Sequence, residues 1–177
     1  ERRPVDAAAR FGLNLAILDF DGDGLQDVLV GNDSQGNQLH RNLGDWKFEE
    51  TGIRSGAATN QEGDAQATMG MAVGDVDGNG TPDVFSTNFS SDTNTLHANV
   101  DGFFDDRTRR FGLAEGSRQQ LGWATEFADL DHDGDEDVLV VNGHVYPQAT
   151  VESMDSPYAQ PPGLWRRDAR RFVFVDP

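Results

Sequence analysis

The sequence predicts an all-β chain built from three four-stranded antiparallel meanders, and three observations carry that reading. A nine-residue acidic loop of the pattern D-x-D-x-[DN]-G-x-x-D occurs three times, as DFDGDGLQD from Asp19, DVDGNGTPD from Asp75 and DLDHDGDED from Asp129. Each copy lies between apolar, β-branched segments of strand length. The copies recur at intervals of 56 and 54 residues, a little above the roughly 40 to 50 of common repeats made of one such meander.

Each unit opens with the apolar stretch that enters the loop: Leu13 to Leu18 (LNLAIL), Met69 to Val73 (MGMAV) and Trp123 to Phe127 (WATEF). The loop itself comes next. Oxygen donors at positions 1, 3 and 5 of a tight turn converge on one point, where a hard cation with six to eight oxygen ligands can use them all, and calcium suits such a cage best. Asp, Asn and Gly gather in turns for local reasons of their own, but three copies in equivalent phase, each with carboxylates that repel one another without a cation, go beyond that tendency. Position 6 is Gly24, Gly80 and Gly134. A glycine there lets the backbone turn sharply, so that the carbonyl of position 7 can face inward. Position 9 is Asp27, Asp83 and Asp137, which close the cage and start the next strand. An EF-hand opens in the same way but needs a bidentate Glu at position 12 and a helix beyond it. Here position 12 is Val30, Ser86 and Val140, inside the runs DVLVGN, DVFSTN and DVLVVN, and the EF-hand reading fails.

Those runs are the second strands. A polar turn leads to a third short strand at QLHRN (Gln38 to Asn42), TLHAN (Thr95 to Asn99) and GLWRR (Gly163 to Arg167), and a fourth carries Phe48, Phe104 and Phe174. Four short strands joined by tight turns form a meander, the unit of a β-propeller blade. The expected division of the single domain 1–177 is blade 1 at about 11–53, blade 2 at about 54–113 and blade 3 at about 114–177. Leu39 and Leu96 lie 20 and 21 residues beyond their loops' first aspartates and Leu164 lies 35 beyond Asp129, so blade 3 carries an insertion, GHVYPQATVESMDSPYAQPP at 143–162. Its prolines and polar residues make it a surface loop, where function tends to sit.

Composition bounds the rest. At 177 residues with no cysteine the chain is one ordinary domain without disulfides or thiolate metal sites. A net charge of -17 argues against nucleic acid or an anionic membrane surface as partner. No apolar run approaches the length of a membrane span, and ERRPVDAAAR is not a signal peptide because no apolar core follows its arginines. Calcium loops that form a permanent part of a fold usually need the calcium found outside cells, where affinities of about 10⁻⁴ to 10⁻³ M suffice. The expected location is therefore extracellular or at the cell surface, with any signal already removed.

The metal loops, the lead-in GMAVGD at Gly70 to Asp75, the blade ending LHRNLGDWKFEE and the segment VNGHVYP at Val141 to Pro147 resemble the FG-GAP/VCBS repeat proteins. Within that class the chain is most similar to the branch that precedes an ASPIC/UnbV domain, which includes the cartilage acidic proteins. The resemblance implies an integrin-α-like propeller with calcium between strands 1 and 2 of each blade. It implies three ions, held by Asp19, Asp21, Asp23 and Asp27 with the Leu25 carbonyl, by Asp75, Asp77, Asn79 and Asp83 with the Thr81 carbonyl, and by Asp129, Asp131, Asp133 and Asp137 with the Asp135 carbonyl. Members of this type usually have seven or so blades and propellers close with about four to eight. Three blades are therefore either part of a larger ring or a protomer completed by association, as a ring or a filament. Arg10, Phe11, Gly12 and Leu13 echo Arg110, Phe111, Gly112 and Leu113, the expected link after a fourth strand.

Other polar and aromatic residues read more plainly. His40 and His97 occupy one place in successive repeats and Trp165 takes it in the third, which points to structure rather than ligation. His132, at position 4 of its loop, reads as an exposed turn residue. His144 and Tyr146 in the insertion are the best candidates for a partner or sugar contact, with loop packing as the plainer role. Nothing resembles a nucleophile elbow, a phosphate-binding loop or an isolated carboxylate pair, so no catalytic residue is expected. Three function classes stand: a secreted calcium-stabilised scaffold for protein interaction or self-assembly, a lectin using aromatics such as Trp46, Trp123 or Trp165, and a polysaccharide lyase or esterase on the same scaffold.

Overall fold

The computed structural model describes residues 10–147 and 156–175. Three four-stranded antiparallel sheets follow one another along the chain. The first is β1 (Gly12–Leu18), β2 (Asp27–Asn32), β3 (Gln38–Asn42) and β4 (Phe48–Glu50). The second is β5 (Gly70–Gly74), β6 (Asp83–Thr87), β7 (Thr95–Val100) and β8 (Phe103–Asp106). The third is β9 (Gly122–Ala128), β10 (Asp137–Asn142), β11 (Gly163–Asp168) and β12 (Arg171–Val175). Each strand pairs only with its neighbours in sequence, the meander of a propeller blade, and the described residues do not close into a ring. The register repeats as well. Leu18 faces Asp27, Gly74 faces Asp83 and Ala128 faces Asp137, so every acidic loop closes the same hairpin.

The sequence reading did not foresee two one-turn helices between blades, α1 (Gly52–Ser55) and α2 (Thr108–Phe111), each ended by a left-handed glycine, Gly56 and Gly112. They also correct the supposed echo. Gly112 caps α2, and its lookalike Gly12 lies inside β1 opposite Asn32, where Gly122 stands opposite Asn142 in the third sheet. The shared letters R-F-G-L therefore fall at different phases of the repeat.

The core lies between blades rather than within them. Phe20, Leu29, Leu39, Ala57, Val84 and Phe104 are buried together between the first two sheets, with Ala16, Leu18, Met71 and Val73 against them. A larger cluster between the second and third sheets holds Ala72, Phe85, Leu96, Phe111, Phe127, Val138, Val140, Trp165 and Phe172 among others. The middle blade is covered on both faces, and β6 is accordingly buried at every position, with Val84 turned to one cluster and Phe85 to the other. Strands covered on both faces carry continuous apolar runs, whereas one open face leaves an alternation. In β1 burial alternates although residue type does not: Ala16 and Leu18 pack inward, while Leu15 and Ile17 on its other face are 57% and 54% exposed. Burying a side chain of this size contributes about 1.5–3 kcal/mol, so the two inter-blade clusters are the main source of cohesion.

Candidate metal centres

The three loops fold alike because their side chains bond back to their own backbone. The position 1 aspartate takes the N–H groups of positions 5 and 6: Asp19 from Asp23 and Gly24 at 3.1 and 2.8 Å, Asp75 from Asn79 and Gly80 at 3.0 and 2.9 Å, and Asp129 from Asp133 and Gly134, both at 3.1 Å. Position 3 accepts from the N–H of position 5, and position 5 accepts from the N–H of position 7, in every copy. Position 4 is left-handed throughout, as Gly22, Gly78 and His132 with φ of 76°, 73° and 63°. His132 is exposed and spends its side chain on none of these bonds, as its place in the turn predicts.

Within this frame one carboxylate oxygen from each of Asp19, Asp21 and Asp27 lies within 4.8 Å of the others, and the same holds for Asp75, Asp77 and Asp83 and for Asp129, Asp131 and Asp133. Such triads of hard oxygen donors can hold a metal ion. Two expected carboxylates stand outside their triads. Asp23 accepts from Leu25 N–H and pairs with Arg41 at 3.3 Å, and Arg41 also pairs with Asp21. Asp137 is held by two backbone N–H groups, from Leu130 at 3.2 Å and Arg167 at 2.7 Å. Asn79, which belongs to the expected second set, directs its amide to the Asn99 carbonyl at 2.8 Å and its oxygen to Thr81. The backbone N–H groups of Leu25, Thr81 and Asp135 each bond the position 5 side chain of their own loop.

The position 9 aspartates have a second role that the sequence reading missed. Besides Asp137, Asp27 takes Phe20 N–H at 3.2 Å and Asn42 N–H at 2.8 Å, and Asp83 takes Val76 N–H and Asn99 N–H, both at 2.8 Å. Each therefore clamps position 2 of its own loop to the end of the third strand of its own blade. The donors from the third strand are backbone N–H groups, of Asn42, Asn99 and Arg167, so residue type gave no signal for this partner.

Burial sets the electrostatics of these clamps. Asp83 is fully buried, and desolvation pushes its carboxyl up to about 6 against the pull of its two backbone bonds, with Asp77 and Asp75 adding to the rise. Burial raises Asp27 too, and the neighbouring Asp21 and Asp23 add to it. A cation placed among these groups opposes both rises, because an opposite charge favours the ionised carboxylate. Desolvation also lowers Arg167, whose guanidinium stacks on Phe111 and Phe172 and lies near Asp135 and Asp77.

Several of the remaining candidates bond or pack within the fold. The His97 ring donates to the Thr59 carbonyl at 2.9 Å, and the Trp165 indole, in the equivalent place, donates to the Glu115 carbonyl at 2.8 Å. Both tie a blade to the connection before it. Trp165 is 0% exposed and is thereby excluded from any surface sugar pocket, whereas Trp46 is 95% exposed and the half-exposed Trp123 bonds the Gly143 carbonyl. His144 is buried against Phe89 and Tyr146, with its N–H on the Tyr158 carbonyl, and so packs the insertion onto the middle blade. Residues 148–155 of that insertion lie outside the described residues.

A family model described as FG-GAP-like repeat matches residues 19–86 and again 75–140. The match is to the repeat itself and does not separate the ASPIC/UnbV branch from the others. No curated protein matches the chain.

Proposed function

Because the chain belongs to the FG-GAP-like repeat family, we propose that it is a calcium-stabilised, secreted blade scaffold whose uncovered outer faces bind protein, a second copy of the chain included. Repeats of this family are typically non-catalytic, and the reading assigns the chain a binding role. The observation that carries the reading is the threefold recurrence of one loop geometry with three carboxylates drawn together each time. Calcium fits these donors better than a softer or smaller metal, since every ligand is oxygen. Three ions are assigned to the three loops. Asp19, Asp21, Asp23 and Asp27 with the Leu25 carbonyl take the first, Asp75, Asp77, Asn79 and Asp83 with the Thr81 carbonyl the second, and Asp129, Asp131, Asp133 and Asp137 with the Asp135 carbonyl the third. Arg41 leaves the first loop when the ion enters, since the two compete for Asp21 and Asp23. Secretion accords with the calcium supply such loops need, and among the described residues no helix is long and apolar enough to cross a membrane.

The outer faces supply the binding surface. Phe20 and Val76, at position 2 of loops 1 and 2, are buried under the following blade, while Leu130 at the same position of loop 3 is 47% exposed. Leu139, Val141, Val173 and Val175 are exposed with it, and Leu15 and Ile17 are exposed on blade 1. Repeat units bury such faces against a neighbour, and a head-to-tail contact between copies would place blade 1 of one chain on blade 3 of another. Analytical ultracentrifugation in millimolar calcium tests the reading alongside elemental analysis. Three calcium ions per chain and association that weakens in Val141→Lys are expected. Absence of bound calcium refutes the cages, and a calcium-loaded monomer at all concentrations refutes self-association.

A further inference from the structure

Asn99 is buried completely, at 0% exposure, and its polar groups bond both loop 1 and loop 2, with its side-chain oxygen accepting from Gly102 N–H in the β7–β8 turn. Its backbone N–H donates to Asp83 at 2.8 Å, and its carbonyl accepts from Asn79 at 2.8 Å and from the Thr81 hydroxyl at 2.6 Å, all three in loop 2. Its side-chain amide crosses the blade boundary and donates to the Phe20 carbonyl of loop 1 at 2.9 Å. The Phe20 N–H in turn donates to Asp27 at 3.2 Å. Beside this bridge the β7–β8 turn presses on loop 1 directly, since a Cβ on Gly102 would stand 2.8 Å from the Asp21 Cβ.

The next blade repeats the arrangement with different chemistry. The Arg167 N–H donates to Asp137 at 2.7 Å, its guanidinium donates to the Val76 carbonyl of loop 2 at 2.9 Å, and the Val76 N–H donates to Asp83 at 2.8 Å. One unbroken path of hydrogen bonds therefore joins the three position 9 carboxylates: Asp137, Arg167, Val76, Asp83, Asn99, Phe20, Asp27.

We propose that this path couples the loops, so that a cation bound in one raises the affinity of its neighbour, with Asn99 as the residue that joins loop 1 to loop 2. The inference rests on the calcium reading of the loops given above. A cation orders the loop it enters and fixes the peptide at position 2. That peptide is bonded on one side to its own position 9 carboxylate and on the other to the following blade. Ordering one loop therefore spares part of the ordering cost of the next, the condition for positive coupling without a large change of shape. Coupling is reciprocal, and at the lower end of its usual range it is worth about fivefold in affinity. Asn99 touches no cation and acts only by positioning.

The test uses the full chain with loop 3 emptied by Asp131→Ala, titrated with calcium by isothermal calorimetry. Adding Asp21→Ala isolates loop 2, and adding Asp77→Ala isolates loop 1. The two-site binding constant is expected to exceed the product of the two single-site constants by about fivefold or more, and to fall to that product in Asn99→Ala. Asn99→Asp, of the same size and still able to accept from Gly102 N–H, gives the same loss of coupling if Asn99→Ala does not fold. A two-site constant equal to the product in the chain that keeps Asn99 overturns the proposal, as does coupling that survives in either variant. Absence of any calcium uptake overturns the calcium reading together with it, whereas binding without coupling overturns this inference alone.

Discussion

Removing the cation should give loop 2 an unusual pH dependence, because its buried carboxylate titrates upward. In the metal-free protein the Asp83 pKa stands at about 6 against 3.8 for the free side chain. At about 1.4 kcal/mol per pKa unit this interval corresponds to about 3 kcal/mol, borne by the folded state when Asp83 is ionised. The sign follows from proton counting. Below 3.8 the carboxyl is protonated in both folded and unfolded chains and nothing is lost. Between 3.8 and about 6 the folded chain keeps a proton that the unfolded chain has released, so stability falls as pH rises, and above about 6 the loss is complete. This is the reverse of a salt-bridged aspartate. The assay is urea unfolding in metal-depleted buffer between pH 4.5 and 7.5, comparing wild type with Asp83→Asn so that other titrating groups cancel. The stability of wild type relative to the variant should drop by about 2 kcal/mol across that range, about 1 kcal/mol having been lost already at pH 4.5. Saturating calcium should abolish the drop, since the ion favours the ionised form. Parallel pH profiles for the two proteins in metal-depleted buffer would refute the account of Asp83 as a desolvated carboxylate.

Other perturbations probe other parts of the argument. Asp21→Ala, Asp77→Ala and Asp131→Ala should each lower the calcium content by about one ion per chain in elemental analysis, following the one-ion-per-loop arrangement, and His132→Ala should leave it unchanged. Burial holds the His97 pKa below its ordinary value, so as pH falls below about 6.5 the unfolded chain takes up a proton that the folded chain refuses. Wild type should therefore lose stability in calcium between pH 7.5 and 5, and His97→Gln, which keeps an N–H for Thr59, should not. A Cβ on Gly70 would land on the Trp123 carbonyl oxygen and within 2.8 Å of the Thr87 hydroxyl. Gly70→Ala should accordingly destabilise the protein by about 1–3 kcal/mol or more in urea unfolding, and a variant as stable as wild type would deny the close approach of blades 2 and 3.

The sequence by itself determined everything that is local and repeated. The acidic loop is a run of nine residues whose aspartates bond backbone groups two to five positions away, so Asp19, Asp75 and Asp129 announce the same turn wherever they occur. The strands beside the loops were legible because apolar runs of strand length flank each loop, but that β1 has one covered face and β6 two is set by the packing of the blades. The helices α1 and α2 escaped because four residues give no periodicity. What only the tertiary structure decided is how the copies differ and how they are joined. His97 and Trp165 share a role through different chemistry, and Asn99 and Arg167 both reach the preceding loop, across 79 and 91 residues of chain, with side chains that have nothing in common. A spacing rule cannot find such partners, since each is chosen by what the neighbouring blade presents. The same holds for Phe20, Val76 and Leu130, one position in three loops of one geometry, of which the first two are buried and the third is exposed. Local bonding makes the loops alike. Only the packing of one blade on the next makes them unequal, because burial belongs to the interface and not to the loop.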